Sequence, residues 1–126
     1  FSWSGSLLVD FWTGGNGALN QHLFKVTSKK YPRWFYYHWT KYHLEQFQSI
    51  AAAKATTMGH IKRGDLKRAM VLIPPMSLLE QMTKTIAPLL EKIILNRLES
   101  RTLAELRDTL LPRLISGQLR VPEAHL

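Results

Sequence analysis

Apolar positions follow two rhythms along this chain, and the change falls near Pro74-Pro75. In the first part, Leu7-Leu8-Val9 and Leu23-Phe24-Lys25-Val26 are short apolar runs separated by Thr13-Gly14-Gly15-Asn16-Gly17. Short runs bounded by Gly and Asn read as strands, and Asn-Gly and Gly-Gly suit tight turns. The pattern predicts strands at about 6–12 and 19–27 joined by a Gly-rich turn. From Arg33 to Gln48 neither Gly nor Pro intervenes, and Phe35, Trp39, Tyr42 and Gln46 recur at helical steps. That spacing predicts a helix over about 33–48 with its aromatic face buried. Ser49 to His60 is small and polar and reads as a loop. Ala69 to Ile73 then reads as a buried strand stopped by Pro74-Pro75.

From Ser77 the rhythm becomes helical throughout. Ser77 and Glu80 stand at the spacing of a capping box. Leu79, Met82, Ile86, Leu89 and Ile93 recur at alternating steps of three and four, a heptad seam of the kind that pairs with another helix in a coiled coil. The same seam runs on less regularly through Asn96 to Leu103, Leu110 and Leu114, and Leu90, Ile94 and Leu98 form a second stripe beside it. An ordinary amphipathic helix packed on its own domain would show the same periodicity. Pro88 lies inside the pattern and predicts a kink or frayed turn; Pro112 predicts a bend or restart. Gly117 is placed as a helix C-terminal glycine. The fold class expected is α+β: short strands and a helix, followed by a long amphipathic helix or helical hairpin.

Composition sharpens this division. The chain has 126 residues and a formal charge of +8. Residues 1–75 hold ten Lys and Arg against three acids, whereas residues 76–126 hold seven against six. All thirteen Phe, Trp and Tyr lie between Phe1 and Phe47. The expected domains are therefore 1–75 and 76–126. A basic excess concentrated in one half points to a polyanion partner. No apolar run approaches the roughly 20 residues that span a bilayer. No basic-plus-apolar leader opens the chain, so a cytoplasmic origin is expected. The first residue is Phe, and Phe1–Val9 reads like the inside of a fold, so a processed or excised fragment is expected.

Catalytic chemistry finds little support. There is no Cys, which excludes disulfides and thiolate metal sites. The five His are scattered, and no metal site or cofactor is expected. Asp65-Leu66-Lys67 has the acid-x-Lys spacing of some nuclease sites, but no second acid stands near it in sequence. Arg63-Gly64-Asp65 spells an adhesion tripeptide and is read as coincidence. The glycines at 14–17 lack the Lys-Ser/Thr and the following helix of a phosphate loop, and no Gly-x-Gly-x-x-Gly appears. What remains is Ile61 to Arg68, with four basic residues in eight, either a phosphate-contacting segment or a solvated basic turn.

Four strings carry a resemblance: ALNQHLFKV at Ala18–Val26, TTMGHIKRGDL at Thr56–Leu66, IPPMSLLEQ at Ile73–Gln81 and LLPRLISGQLRV at Leu110–Val121. In this order they resemble the specificity subunit of type I restriction-modification systems. That family carries two target recognition domains, each followed by a long helix that separates the domains and docks the modification subunits. The resemblance implies one recognition domain, lacking its start, plus its helical spacer, in a non-catalytic DNA-recognition subunit. It implies duplex DNA, modification subunits and a restriction subunit as partners. On the matching positions it places Thr57, His60, Lys62 and Arg63 at the DNA, with Lys54, Lys29 and Lys30 added as basic contacts to phosphate. A chain with one recognition domain would dimerise through Leu79, Met82, Ile86, Leu89 and Ile93, the seam continuing to Leu103, Leu110 and Leu114. The alternative is a protein-interaction module, a regulatory or competing fragment that binds a modification subunit without touching DNA.

Overall fold

The computed structural model describes residues 1–54 and 59–120. Four helices follow in order: α1 (Arg33–Tyr42), α2 (Leu44–Ala53), α3 (Arg63–Leu66) and α4 (Met76–Ile115). The chain divides into two compact units between Leu90 and Glu91. The architecture is mostly helical, and the α+β expectation is overturned. Among the described residues there is no sheet, only two isolated antiparallel bridges, Ser2 to Leu23 and Ser4 to His60.

The backbone at Trp3 explains why no sheet forms. In an antiparallel ladder, a hydrogen-bonded residue turns both its N–H and its C=O toward the same neighbour. Trp3 instead donates its N–H to the His22 carbonyl at 3.1 Å, while its carbonyl accepts from the Ile61 N–H at 2.9 Å. Its two groups serve segments on different sides, so pairing with each stops after one bridge. Residues 22–24 thus pair with 1–3 rather than with 6–12, and the expected hairpin does not form. Leu7 to Val9 is still half-buried by alternation, with Leu7 and Val9 inside and Leu8 outside. Leu7 and Leu8 are held without a ladder: Gln48 Nε2 donates to the Leu7 carbonyl, and the Ser2 backbone N–H and side-chain Oγ hold Leu8.

The Gly-rich segment seats a tryptophan. Trp12 donates its indole N–H to the Gly15 carbonyl at 2.7 Å, and its ring lies so close to Gly14 that a Cβ there would meet ring carbon Cζ2 at 2.5 Å. The indole is nonetheless 74% exposed.

The expected single helix over 33–48 is two helices meeting at His43, whose φ of −84° and ψ of 0° end α1. The hydrogen-bond ladder nearly bridges the break, since His43 N–H reaches the Trp39 carbonyl and Phe47 N–H the His43 carbonyl. Trp34, Phe35 and Tyr37 are the buried aromatics of α1, and Trp39 is half-buried. Tyr42 stands exposed, so the aromatic face is only partly covered. The loop expected from Ser49 begins later, because Ala51–Ala53 extend α2, as alanine's high helix propensity favours. Leu7, Phe47, Ala51 and Ile61 form the core cluster of the first unit, with Phe1, Trp3, Leu44, Ile50, Leu66 and Ala69 packed against it. Burying each large apolar side chain of this kind contributes about 1.5–3 kcal/mol.

Met70 to Ile73 corrects the third strand. Met70 is 83% and Leu72 79% exposed, and among the described residues no hydrogen bond reaches the backbone of Val71, Leu72 or Ile73. Only the Met70 carbonyl is engaged, by His43 Nε2 at 2.9 Å. Pro74-Pro75 then leads into α4, whose start lies one residue before the expected cap. The Pro75 carbonyl accepts from Leu78 and Leu79, which leaves Ser77 inside the helix rather than capping it. The helix runs through Pro88 and Pro112 without a break, so neither a helical hairpin nor a restart is present. It ends where Gly117 takes a φ of +73°, with the Leu114 and Arg113 carbonyls accepting from Gly117 and Leu119. Among the described residues no helix is long and apolar enough to cross a membrane.

Candidate nucleic-acid interface

The basic segment after Ile61 folds around its one acid. Asp65, third residue of α3, reaches back to accept the Lys62 backbone N–H at 3.3 Å, satisfying a donor that a helix start leaves open. Across the segment, Lys54 at the end of α2 donates its ammonium to Asp65 Oδ2, and Arg68 Nη1 lies 3.7 Å from Oδ1. The carboxylate is only 11% exposed, whereas Lys54 is 39% and Arg68 85% exposed. The hydrogen bond from Lys54 is the largest influence holding the Asp65 carboxyl below its ordinary range. The Lys62 N–H and the charges of Lys54 and Arg68 act in the same direction, against desolvation.

Arg63 turns away from this group. Its guanidinium lies 5.0 Å from the Phe24 ring centre, and Phe24 in turn stacks on Trp3 at 5.9 Å. Such a contact fixes an arginine on an aromatic face while leaving it charged and accessible. Lys62 is exposed, and His60 is half-buried where it bridges to Ser4. Lys54, His60, Lys62 and Arg63 are therefore gathered at α3 and the segment leading into it. Thr57 lies outside the described residues. Lys29 and Lys30 belong to a separate turn before α1, in which Ser28 Oγ accepts from the N–H groups of Lys30 and Tyr31, and the Lys30 ammonium lies 5.3 Å from the Tyr31 ring centre.

Beside Lys54 and Asp65 an open cleft of about 400 Å³ has an apolar floor of Phe47, Ile50 and Ala69 and a rim that includes Arg68. Among the described residues no three His, Asp or Glu side chains come together as metal ligands would. The sequence reading missed two features. One is the structural employment of Asp65, whose signal was a single acid inside a basic run at the third helical position. The other is the Phe24 seat of Arg63, for which spacing offers no signal.

On α4 the seam residues divide. Leu79 is buried and Met82 and Ile86 are half-buried, while Leu89, Ile93, Leu103, Leu110 and Leu114 are exposed. The stripe that is covered instead passes through Leu90, Ile94 and Leu98, the first buried and the others half-buried. Within the first unit, α1 is tied to the first part of α4 by a polar relay: Trp34 donates its indole N–H to Thr83 Oγ1 at 2.9 Å, and that hydroxyl donates to the Leu79 carbonyl at 2.7 Å.

A resemblance to a type I specificity subunit is found in comparison with known proteins. Over 74 residues, 59% of this chain, the sequence is 38% identical to the type I restriction enzyme MjaIX specificity subunit of Methanocaldococcus jannaschii. The chain is thus similar to part of a specificity subunit, and the match covers 17% of that protein's length. No family model matches the chain. No solved structure matches it either.

Proposed function

We propose that this chain is part of a non-catalytic DNA-recognition subunit of a type I restriction-modification complex, acting in the cytoplasm. The single observation that carries the reading is the 38% identity over 74 residues to a specificity subunit. The charge distribution and the basic cluster around α3 support it. In this reading residues 1–75 belong to a recognition domain and 76–126 to the helical spacer. Lys29, Lys30, Lys62 and Arg63 meet phosphates and supply a salt-dependent affinity, and Thr57 and His60 approach the duplex beside them. Phosphate contacts of this kind fix register, and base-edge contacts from neighbouring side chains give sequence preference.

The spacer acts as a ruler, because each helical residue adds about 1.5 Å between two recognition domains and so sets the unread gap. The exposed leucines of α4 dock modification subunits or a second copy of the chain. A two-fold pair would read a symmetric site. Binding of the whole chain to duplex DNA across a salt series tests the reading. A steep loss of affinity with salt is expected, and no binding at low salt would refute it. That refuting result would favour the interaction module, which the exposed Leu103, Leu110 and Leu114 also suit.

A further inference from the structure

Asp65 is the one acidic residue between Glu45 and Glu80, and it stands among Lys54, Lys62, Arg63, Lys67 and Arg68. Its position is not that of a solvated surface acid. Its carboxylate is largely covered, accepts the Lys62 N–H, and holds the Lys54 ammonium across eleven residues of chain. A lysine committed to a carboxylate cannot neutralise a phosphate at the same time. Arg68 differs: its pair with Asp65 is longer and far more exposed, so it is screened and free to swing outward.

We infer that Asp65 is a specificity-determining residue of the DNA reader, which holds Lys54 back from the phosphates and so limits sequence-independent affinity. This deepens the proposed DNA recognition and rests on it. The physical reason for such a device is that a reader is judged by the ratio of specific to non-specific affinity. Every extra cation within reach of phosphate strengthens both, but only base contacts separate them. Lys54, placed at the DNA by the sequence reading, becomes an internal staple between α2 and α3. Around α3 the contacts to phosphate then fall to Lys62, Arg63 and Arg68, beside those of Lys29 and Lys30 in their separate turn.

The test is the slope of log affinity against log salt for the whole chain on a labelled random-sequence duplex. Asp65→Asn keeps the shape and the oxygen that accepts the Lys62 N–H but removes the charge. It is expected to steepen the slope by about one, because one released lysine adds about one phosphate contact. Asp65→Glu keeps the charge and is expected to leave the slope as in the wild type. Lys54→Ala is expected to leave it unchanged, whereas Lys62→Ala should lower it by about one. Thermal melts of each variant report folding separately. A slope that falls in Lys54→Ala, or fails to rise in a folded Asp65→Asn, overturns the inference while leaving DNA binding intact. A wild type that binds no duplex at low salt overturns the DNA reading itself.

Discussion

Replacing Thr83 by Val tests the joint between α1 and α4. Valine matches threonine in shape and differs little in helix propensity, so the change is confined to the hydroxyl. Trp34 is 6% exposed, and its indole N–H is held by Thr83 Oγ1 at 2.9 Å, 49 residues away in sequence. Without that oxygen, a donor in a nearly dry site loses its partner, which costs about 1–3 kcal/mol. The added methyl returns up to about 0.8 kcal/mol of apolar burial. The hydroxyl's own bond to the Leu79 carbonyl is a local back-bond to the preceding turn and contributes little. The net cost is therefore about 1–2 kcal/mol. In urea unfolding followed by tryptophan fluorescence, the midpoint should fall by roughly 0.5–1 M with the slope unchanged. Trp34→Phe removes the donor, so the double variant should cost less than the sum of the singles by about 0.5–1.5 kcal/mol. Costs that add to within about 0.3 kcal/mol would refute the relay as a source of stability.

Three further predictions follow from other features. Pro88→Ala restores a backbone donor within α4 and should stabilise the chain by up to about 3 kcal/mol, read as a higher midpoint and stronger helical circular dichroism; an unchanged or lower midpoint would show that the proline is compensated locally. Gly14→Ala puts a methyl where the Trp12 ring lies, so the indole N–H should lose its bond to Gly15 and exchange with deuterium faster by NMR; unchanged exchange would refute the seat. Asp65 has a lowered folded-state pKa, so its contribution to stability is complete above its ordinary value of 3.8 and is lost as pH falls through the lower folded value. Asp65→Asn should flatten the acid limb of the stability profile below about pH 4, and an unaltered limb would assign it to other carboxylates.

Much of the local order was legible in the sequence, and the corrections have a common cause. The apolar spacing of α4 and the glycine that ends it at 117 are local signals, and both are found. The strands failed because alternation reports an extended, half-buried segment, not a neighbour to pair with. Leu7 and Val9 are buried as alternation demands, yet a glutamine side chain and a serine satisfy the backbone beside them. The small size of Ala51–Ala53 suggests a loop, but alanine has the highest helix propensity and these residues extend α2, with Ala51 buried. The heptad reading selected Leu89 and Ile93, but the covered stripe turns toward Leu90 and Ile94, as a straight helix of 3.6 residues per turn drifts from a strict seven-residue repeat. At the candidate interface, the clustering of cations near α3 was visible in the run itself. The Lys54–Asp65 pairing was not, because it depends on how α2 and α3 approach each other.

The exposed strip at Met70–Ile73 bears on how the protein behaves in concentrated solution. Ala69 to Leu79 is an uncharged stretch rich in apolar residues, and among the described residues no hydrogen bond reaches the backbone of its Val71, Leu72 or Ile73. Such an edge invites strand-to-strand growth unless charge opposes it. The +8 of the chain supplies that opposition at long range, and salt weakens it by shortening the screening length. Raising ionic strength to strip off bound polyanion therefore also removes the repulsion that keeps copies apart, so colloidal stability and freedom from nucleic acid pull the buffer in opposite directions.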